Sequence, residues 1–305
     1  MTRLLVSVVI PTWQRAAWLE RCLTALEVQT QRPDEVIVVG RAEDTAAQEV
    51  VARHARLPAR WVEVDRPGHV APVKRGLDET RSEIVAFVDD DTEPEPGWLA
   101  AITAPFDDPR AACVGGRVIV PGIKAKVAHD AGRVRWYGRH IGNVGQREHP
   151  HPVDVDGVME GNWAWRRSVL SRLLFDPILD FDDASMFGLD LCLQAKRGGY
   201  RVVYQPGARV VHHVAPRDPS LDRSRRAPRT YAYSRNYTYI ALKHLRGARR
   251  VAFLAWWWGL GERGSYGLAK ALADLALQGP QVWALARASF AGKLEGFRVW
   301  QRTAR

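Results

Sequence analysis

The sequence predicts an α/β protein with a mostly parallel sheet flanked by helices, followed by a helical extension. In the first 110 residues, short Val- and Ile-rich segments alternate with longer segments whose apolar residues recur every three or four positions. Strands separated by helices of about 10–15 residues form βαβ units, and these units build parallel sheets. The Val/Ile segments are almost continuously apolar, which is typical of strands buried on both faces. With 305 residues, 46% of them hydrophobic, the chain can fill a substantial core.

Strands and helices are expected to alternate strictly in that first part of the chain. The strands are residues 4–10, 35–39, 60–64 and 83–88, and the helices are residues 16–28, 45–56 and 70–79. Ligands of open parallel sheets bind beyond the carboxyl ends of the strands. We therefore expect residues 11–13, 40–41 and 89–91, which each follow a strand, to lie on one rim of the sheet.

The chain from residue 111 to residue 215 is less regular and is expected to complete the same domain. Residues 121–156 lack periodicity and are rich in Gly, His, Arg and Pro, a composition that is typical of a functional loop or lid. Ordered structure is expected again at residues 157–170, in a helix at 190–196 and in a strand at 201–204.

The composition changes after residue 216, where an arginine-rich linker precedes segments rich in Tyr and Trp. The apolar segment at residues 251–258 would form a helix roughly 15 Å long, about half of the length that a bilayer requires. Residues 282–300 place Trp and Phe among Arg and Lys, as in helices that lie in a membrane interface. Packing on the α/β domain or on a second copy of the chain is the alternative, so a membrane surface and a homodimer are both candidate contacts.

Two domains are expected from this change in composition. They are residues 1–215, with halves at 1–110 and 111–215, and an extension at 216–305. The formal net charge is +10 and the pI is about 9.8, and the excess of basic residues lies outside the first half of the large domain. A basic protein suits nucleic acid, an anionic membrane or phosphate-bearing substrates. The sequence contains no nucleic-acid recognition motif, so nucleic acid is not an expected partner.

The cysteines and the N-terminal residues indicate the cellular compartment. Cys22, Cys113 and Cys192 are too few and too scattered for a disulfide framework or a zinc site, and we expect Cys22 and Cys192, which sit among apolar residues, to be small core residues. The first apolar segment ends at Pro11 without a cleavage site, so it is interpreted as a strand rather than a signal peptide. No run of about 20 apolar residues is present, and no spanning helix is predicted. The expected location is the cytoplasm, including the inner face of the cell membrane.

Residues 84–91 carry the strongest chemical signal, because a buried strand ends there in three consecutive carboxylates. Side chains alternate faces along a strand, so Asp89 and Asp91 can point the same way. Two converging carboxylates suit a hard cation such as Mg²⁺ or Mn²⁺, and such a cation usually brings phosphate oxygens with it. The alternative is a solvated acidic turn, and Asp90 is the member of the three with the best case for a purely structural role.

Several segments, taken in order, resemble the family 2 glycosyltransferases, which are enzymes of the GT-A fold. These segments are residues 6–15 (VSVVIPTWQR), 87–91 (FVDDD) with 96–99 (PGWL), 161–167 (GNWAWRR), 190–193 (DLCL), and 199–206 (GYRVVYQP) with His212. The resemblance implies a Rossmann-like, mostly parallel sheet and the transfer of a sugar, with inversion, from a UDP-, dTDP- or GDP-linked donor to an acceptor hydroxyl. It also implies Mg²⁺ or Mn²⁺ as cofactor. With the basic, Trp-rich extension, it indicates a lipid-linked acceptor or a role in making cell-envelope polysaccharide, glycolipid or glycoside.

The resemblance implies roles for particular side chains. The expected metal ligands are Asp91, Asp89 and His212, with His213 as a competitor for the third position. The expected donor-binding residues are Pro11, Thr12, Trp13, Arg15, Asp44, Lys74, Arg75, Asp89 and Asp90. The expected acceptor-binding residues are Asn162, Trp163, Trp165 and Arg166. Structural alternatives stay open, namely a solvated helix face for the Lys-Arg pair and core packing for the two tryptophans.

One departure from the family pattern concerns recognition of the nucleotide base. The family often has Asp-Asp-Gly-Ser after the second strand, but residues 40–44 read GRAED here. Recognition of the nucleotide base is therefore expected from Asp44 or from backbone groups. A sugar nucleotidyltransferase is the alternative enzyme, and it would need a glycine-rich loop after the first strand; residues 11–15 contain no glycine.

A second departure concerns the carboxylate that accepts the proton of the acceptor hydroxyl. The family's Glu-Asp pair falls on Phe187 and Gly188 in this chain. Asp190 is the best-aligned carboxylate for that role, although it could instead cap a helix, and Asp183 is the second candidate. The altered segments also leave open a homologue that binds a nucleotide or a partner without turnover.

Overall fold

The computed structural model describes residues 3–66, 68–127, 129–181, 186–213, 226–262, 264–278, 280 and 282–303. The chain forms two compact units. The α/β unit comprises Met1–Arg133, Ile141–Phe175 and Gly188–Pro216, and the helical unit comprises Val134–His140, Asp176–Phe187 and Arg217–Arg305. Two short segments that precede the predicted boundary at residue 215 thus group with the helical unit.

The elements of the α/β unit follow the predicted alternation. Its strands are β1 (Val6–Pro11), β2 (Glu35–Gly40), β3 (Ala59–Glu63), β4 (Ile84–Val88), β5 (Thr92–Pro94), β6 (Ala111–Ile119), β7 (Lys126–Val127), β8 (Arg147–Glu148), β9 (Val153–Asp154), β10 (Asn162–Arg166) and β11 (Arg201–His212). Its helices are α1 (Ala16–Glu27), α2 (Thr45–Arg53), α3 (Val70–Glu79), α4 (Trp98–Thr103), α5 (Arg167–Leu170) and α6 (Phe187–Arg197), the last of which begins at the boundary between the units.

The large sheet has the strand order β3-β2-β1-β4-β10-β6-β11-β5, and β9 pairs with β11. β1 is parallel to β2 and β4, β2 is parallel to β3, and β11 is parallel to β6. β10 lies antiparallel between β4 and β6, and β5 is antiparallel to β11. The predicted α/β fold with a mostly parallel sheet is confirmed.

The core of the α/β unit forms because the apolar residues recur with the period of each element. All five side chains of β4 are buried, as expected of a strand that is covered on both faces. The buried residues of α1, which cover one face of the sheet, are Leu19, Cys22, Leu23 and Leu26. Cys192 is a buried free thiol as well, which confirms the prediction that Cys22 and Cys192 are small core residues, and Cys113 is also a buried free thiol.

The carboxyl ends of β1, β2 and β4 meet on one rim of the sheet, as predicted. The parallel register pairs Pro11 with Val39, and the backbone N–H of Thr12 donates to the Val39 carbonyl over 2.9 Å. Gly40 permits this close approach, since a Cβ there would lie 2.3 Å from the ring of Trp61 and 3.2 Å from the Thr12 carbonyl oxygen. The residues that follow the three strands are thereby neighbours.

Residues 121–156, predicted as a loop or lid, contain short ordered pieces. β7 pairs with β8, a 3₁₀ turn occupies Val144–Gln146, and β9 extends the large sheet. The hydroxyl of Tyr204 on β11 donates to the carbonyl oxygen of Arg147 over 2.6 Å, and burial raises the pKa of this phenol to about 12. The segment is therefore attached to the sheet at several points.

The helical unit contains α7 (Arg226–His244), α8 (Gly247–Gly259), β12 (Gly261–Glu262), β13 (Ser265–Tyr266), α9 (Leu268–Gln278) and α10 (Val282–Thr303). The backbones of α7 and α10 come close where α10 has glycine. A Cβ at Gly292 or Gly296 would lie 2.3 Å from the carbonyl oxygen of Tyr231 or Arg235, respectively. One face of α10 is therefore a packing face within this unit.

Lys293 is a fully buried cation on that packing face. Its ammonium group donates to the carbonyl oxygens of Trp257 and Tyr266 and lies 4.3 Å from the centre of the Trp257 ring. Burial lowers the pKa of Lys293 to about 7, against the opposing attraction of Glu262.

The other surface of α9 and α10 is apolar and exposed. α9 buries none of its residues, and the exposed large side chains here are Leu268, Leu272, Leu277 and Trp283. Trp300, by contrast, packs under the guanidinium group of Arg250 at 4.6 Å. Within the described residues, no helix is both long enough and apolar enough to cross a bilayer.

Candidate active site

Asp89, Asp91 and His212 converge on the rim of the α/β unit. One carboxylate oxygen from each aspartate and one ring nitrogen of the histidine lie within 4.8 Å of one another. The aspartates follow β4, whereas His212 ends β11. The antiparallel pairing of β5 with β11 sets His212 opposite Thr92, which places His212 Nε2 3.2 Å from Asp91 Oδ1. The structure thus brings together the three side chains predicted as metal ligands.

His213, the competitor for the third position, has different partners. Its ring stacks on Trp18 with centroids 5.5 Å apart, and its Nε2 lies 3.1 Å from Glu93 Oε1. Its backbone N–H donates to the carbonyl oxygen of Asp91 over 3.0 Å. The main chain of His213 therefore supports the cluster, while its imidazole contacts Trp18 and Glu93 outside the cluster.

The loop after β1 is tied to the middle aspartate of the triplet. Thr12 Oγ1 donates to Asp90 Oδ2 over 2.7 Å, and Arg15 Nη1 donates to Asp90 Oδ1 over 3.0 Å. The same Arg15 nitrogen lies 3.4 Å from Asp91 Oδ2. Burial raises the pKa of Asp90 to about 6, while Arg15 and Thr12 act in the opposite direction. Asp90 therefore positions Thr12 and Arg15 beside the cluster.

Asp44, which lies between β2 and α2, also fixes the loop after β1. It caps α2 by accepting from the backbone N–H of Ala47 over 3.3 Å, and it accepts from the backbone N–H of Gln14 over 2.6 Å. Gln14 has a φ of 54°, a conformation that a residue other than glycine rarely adopts. The assignment of Asp44 to recognition of the nucleotide base stays a prediction. The contacts of Asp44 in the structure fix the conformation of the loop.

The remaining donor-side candidates lie around this loop. Pro11 ends β1. The guanidinium group of Arg41 lies over the ring of Trp13, 4.2 Å from the ring centre. Lys74 and Arg75 sit on α3, each paired with the carboxylate four residues further on. Both are nearly half exposed, so their contact with a phosphate stays a prediction.

Asn162, Trp163 and Trp165, three of the four expected acceptor-side residues, are buried in the structure, whereas Arg166 is partly exposed; the assignment of all four to the acceptor stays a prediction. Asn162 is fully buried, donates to the carbonyl oxygens of Arg117 and Ala208 over 2.9 and 3.1 Å, and accepts from Trp98 Nε1 over 2.8 Å. The amide of Asn162 is thus hydrogen-bonded inside the protein, as buried polar groups generally are.

The other members of that segment make contacts inside the α/β unit. Trp163 and Trp165 on β10 are buried to within 1% of their surface and pack edge to face with centroids 5.5 Å apart. Arg166 donates to the carbonyl oxygens of Phe106, Asp108 and Ala111 over 2.7 to 3.3 Å. These three side chains anchor β10 in the sheet.

The candidates for the proton-accepting carboxylate differ in their surroundings. Asp190 lies in the first turn of α6, is 1% exposed, and accepts from Gln194 Nε2 over 2.8 Å. Asp183 lies outside the described residues. Both assignments stay predictions.

Glu160 is a carboxylate at the site that the sequence analysis missed. Its Oε1 accepts from the backbone N–H of Gly188 over 2.5 Å. The pKa of Glu160 is raised to about 7: burial is the main cause, the Gly188 N–H opposes it, and the charge of Asp89 adds to it. The available signal was its position directly before Gly161 in the GNWAWRR segment, combined with the missing Glu-Asp pair.

Gly161 connects Glu160 to the cluster. It has a φ of +83°, and a Cβ there would lie 2.2 Å from Asp89 Oδ2, so only glycine fits against that carboxylate. The backbone N–H of Asp89 donates to the Gly161 carbonyl over 3.2 Å. Burial and the neighbouring charge of Asp91 raise the pKa of Asp89. The nearby positive groups only partly offset these two effects.

Residues 7–174 match the sequence pattern of Glycosyl transferase family 2. The pre-mycofactocin glycosyltransferase of Mycobacterium tuberculosis is 30% identical over 215 residues, which are 68% of this chain and 42% of that protein. The glycosyltransferase AglE of Haloferax volcanii is 27% identical over 118 residues, 37% of this chain and 39% of that protein. The chain thus spans less than half the length of these curated relatives.

Solved structures share the fold at low sequence identity. GalNAc-T7, solved with UDP, GalNAc and Mn²⁺, has a TM-score of 0.63 at 17% identity over 83% of this chain and 50% of that chain. The mannosyltransferase PcManGT from Pyrobaculum calidifontis, solved with GDP-Man and Mn²⁺, has a TM-score of 0.60 at 19% identity over 97% of this chain and 88% of that chain. These likenesses identify the fold as GT-A. Because the family pattern covers more than half of its residues, the chain belongs to Glycosyl transferase family 2.

Proposed function

We propose that this protein transfers a sugar from a nucleoside-diphosphate donor to an acceptor hydroxyl, with inversion at the anomeric carbon. The observation that carries the proposal is the cluster of Asp89, Asp91 and His212 at the carboxyl ends of the strands, with Arg15 beside it. Open α/β sheets bind their ligands at this rim. A diphosphate bound there would meet the positive charge of Arg15 next to the three ligand side chains.

The side chains of the cluster fit a divalent cation. Two carboxylates and one imidazole within 4.8 Å of one another form a set of hard oxygen ligands with a single nitrogen. Mg²⁺ prefers an all-oxygen shell, so the imidazole favours Mn²⁺. When bound, the cation supplies Lewis-acid stabilisation of the charge that develops on the leaving diphosphate.

The loop after β1 has a separate task, which is to present Arg15. The Asp90 carboxylate accepts from the guanidinium group of Arg15 over 3.0 Å and from Thr12. These bonds hold Arg15 on the rim before any donor binds. A positive group held in place before the reaction needs no reorganisation when negative charge develops. The nucleotide ligands present with Mn²⁺ in two solved structures of the same fold, UDP in one and GDP-Man in the other, support testing both nucleotides, together with dTDP.

The exposed apolar surface of α9 and α10 supports a contact with the cytoplasmic face of a membrane, where a lipid-linked acceptor would be found. Leu277 and Trp283 are 83% and 62% exposed, and the chain as a whole carries a net charge of +10. Apolar side chains combined with a basic surface bind anionic bilayers. Contact with a second copy of the chain is the alternative for the same surface.

A catalytically inactive, nucleotide-binding homologue is the second candidate function. The observation that favours it is the replacement of the family's Glu-Asp pair by Phe187 and Gly188. Binding of the donor and cation would be the same in both cases, so only turnover separates the two.

The experiment that tests the proposed function is a thermal-shift panel of UDP, GDP, dTDP and their common sugar conjugates, each with and without Mn²⁺. A ligand at about 100 times its Kd stabilises the folded state by roughly 2.7 kcal/mol. We expect one nucleotide to raise the melting temperature only when Mn²⁺ is present, followed by release of nucleoside diphosphate from its sugar conjugate. No stabilisation by any nucleotide would refute donor binding, and stabilisation without release would favour the inactive homologue.

A further inference from the structure

The carboxyl group of Glu160 occupies the space of the side chain that Gly188 lacks. A Cβ at Gly188 would lie 2.6 Å from Glu160 Cγ, 2.7 Å from Oε1 and 3.0 Å from Cδ. Contacts this short do not occur in folded proteins, so no larger residue at position 188 is compatible with Glu160 in this conformation. The chain therefore has a carboxylate at this place, but it comes from the segment before β10 and not from α6.

The sheet register explains why Glu160 reaches the rim. β10 pairs antiparallel with β4, and Asn162 lies opposite Val88. One step further along, the Asp89 N–H donates to the Gly161 carbonyl, so Gly161 lies opposite the first ligand of the cluster. Glu160 is the next residue, and its Oε1 is fixed by the Gly188 N–H at the start of α6.

The environment of Glu160 suits a group that exchanges a proton near neutral pH. The residue is partly buried, its side chain is held by one hydrogen bond, and the groups that act on it are Asp89 after β4 and the backbone N–H of α6. A carboxylate with a pKa near the working pH is an efficient general base. Asp190, in contrast, is 1% exposed and bonded to Gln194.

We propose that Glu160 is the general base of this enzyme and replaces the family's Glu-Asp pair; this inference rests on the proposed transferase function. The acceptor oxygen forms a bond to the anomeric carbon while the bond from that carbon to the diphosphate oxygen breaks. The leaving diphosphate keeps the electron pair of the broken bond. The proton of the acceptor hydroxyl passes to a carboxylate oxygen of Glu160, so atoms and charges balance.

The decisive variant is Glu160→Gln, because the amide oxygen can still accept from the Gly188 N–H while the proton-accepting function is lost. The assay measures release of nucleoside diphosphate with water as the acceptor, from the nucleotide sugar that stabilises the wild type most with Mn²⁺. We expect kcat to fall by about 10²- to 10⁴-fold. The Mn²⁺-dependent shift in melting temperature with the same nucleotide is expected to remain, which shows that the variant folds and binds its donor. Glu148→Gln, at an exposed glutamate of the lid segment paired with Arg117, is the matched control and should keep the wild-type rate.

Two further measurements separate a catalytic from a structural role. The wild-type rate should fall as the pH drops through the pKa of Glu160, which is about 7, and a bound cation should move this midpoint downward because it offsets the charge of Asp89. In the double variant Glu160→Ala with Gly188→Asp, the obstructing side chain is gone and a carboxylate is supplied from α6. We expect this double variant to regain part of the rate that Glu160→Ala loses.

The outcomes distinguish this inference from the proposed function. A wild type that is not stabilised by any nucleotide with Mn²⁺ would overturn both. A wild type that binds and turns over its donor, with an unchanged kcat in Glu160→Gln, would overturn the assignment of Glu160 alone. A large loss in Asp190→Asn beside an intact Glu160→Gln would move the general base to Asp190.

Discussion

Thr12 Oγ1 donates a buried hydrogen bond of 2.7 Å to Asp90 Oδ2, which joins the end of β1 to the end of β4. The middle aspartate of the triplet thus faces the first loop. Asp89 and Asp91 are left on the side of His212. One run of three carboxylates therefore serves two purposes, because the turn that follows β4 directs Asp90 toward the first loop and Asp91 toward His212.

Replacing Asp91 with asparagine should abolish the metal-dependent part of donor binding. The variant keeps the shape of the side chain but removes one negative ligand, so we expect the Mn²⁺-dependent stabilisation by nucleotide to disappear and turnover to fall at least about 10²-fold. Glu93→Gln is the matched control, because Glu93 lies two residues away and pairs with Arg21 and His213 outside the cluster. Retained Mn²⁺ dependence in Asp91→Asn would contradict the proposed metal site.

Asn162 should stabilise the folded protein by accepting the hydrogen bond of Trp98. Its loss leaves the buried indole N–H of Trp98 without an acceptor, and an unpaired buried donor costs about 1–3 kcal/mol. We expect Asn162→Ala to lower the free energy of unfolding by at least that amount, measured by chemical denaturation. A double-mutant cycle with Trp98→Phe should show a coupling of about 0.5–3 kcal/mol. Additive effects of the two substitutions would show that this hydrogen bond is unimportant.

Lys293 should make the stability of the protein depend on pH above neutrality. Its pKa is lowered to about 7 in the folded state from an ordinary value of 10.5. Between these values the unfolded chain binds more protons than the folded chain, so the free energy of unfolding rises with pH. From pH 7 to pH 9 we expect the wild type to gain about 2 kcal/mol relative to Lys293→Met. Parallel pH profiles for the two proteins would contradict the shifted pKa.

The exposed surface of α9 and α10 should determine binding to membranes. We expect the double substitution Leu277→Ser with Trp283→Ser to reduce flotation with anionic vesicles several-fold while leaving the melting temperature unchanged, because both side chains are exposed. Trp136→Ser, at a tryptophan of the helical unit that is 64% exposed, is the control. Equal flotation of all three proteins would favour a contact between copies of the chain. Truncation is a poorer test, since removal of α10 would uncover the face of α7 on which it packs.

The sheet and its rim could be predicted from the sequence, because they follow from local periodicity and from the rule that parallel strands place their carboxyl ends together. The two aspartates of the cluster were predictable for the same reason, as they follow β4 directly, whereas the prediction of His212 came from the resemblance to the family. Asn162 was assigned to the acceptor because the family segment indicated a polar function there. Its burial depends on Trp98 and on two carbonyl groups from β6 and β11, which no local pattern reveals.

Glu160 was missed for a related reason. The family pattern places a carboxylate at Phe187 and Gly188, and the two candidates for its replacement, Asp190 and Asp183, lie close to these positions in the sequence. The structure supplies the group from a segment that is distant in sequence but adjacent in the sheet. Sequence patterns locate an element well, but a function that moves from one element to another is visible only in three dimensions.

The origin of His212 in the last strand of the sheet also bears on how the protein is made. β1 to β4 and the aspartates that follow them leave the ribosome first, whereas β11 must still insert between β6 and β5. A partly synthesised chain therefore has two carboxylates but not the third ligand, and it cannot form the complete cluster. At the proposed metal site, binding of a cation during translation would be weak. Tight binding of the cation would begin only after β11 has paired with β6 and β5.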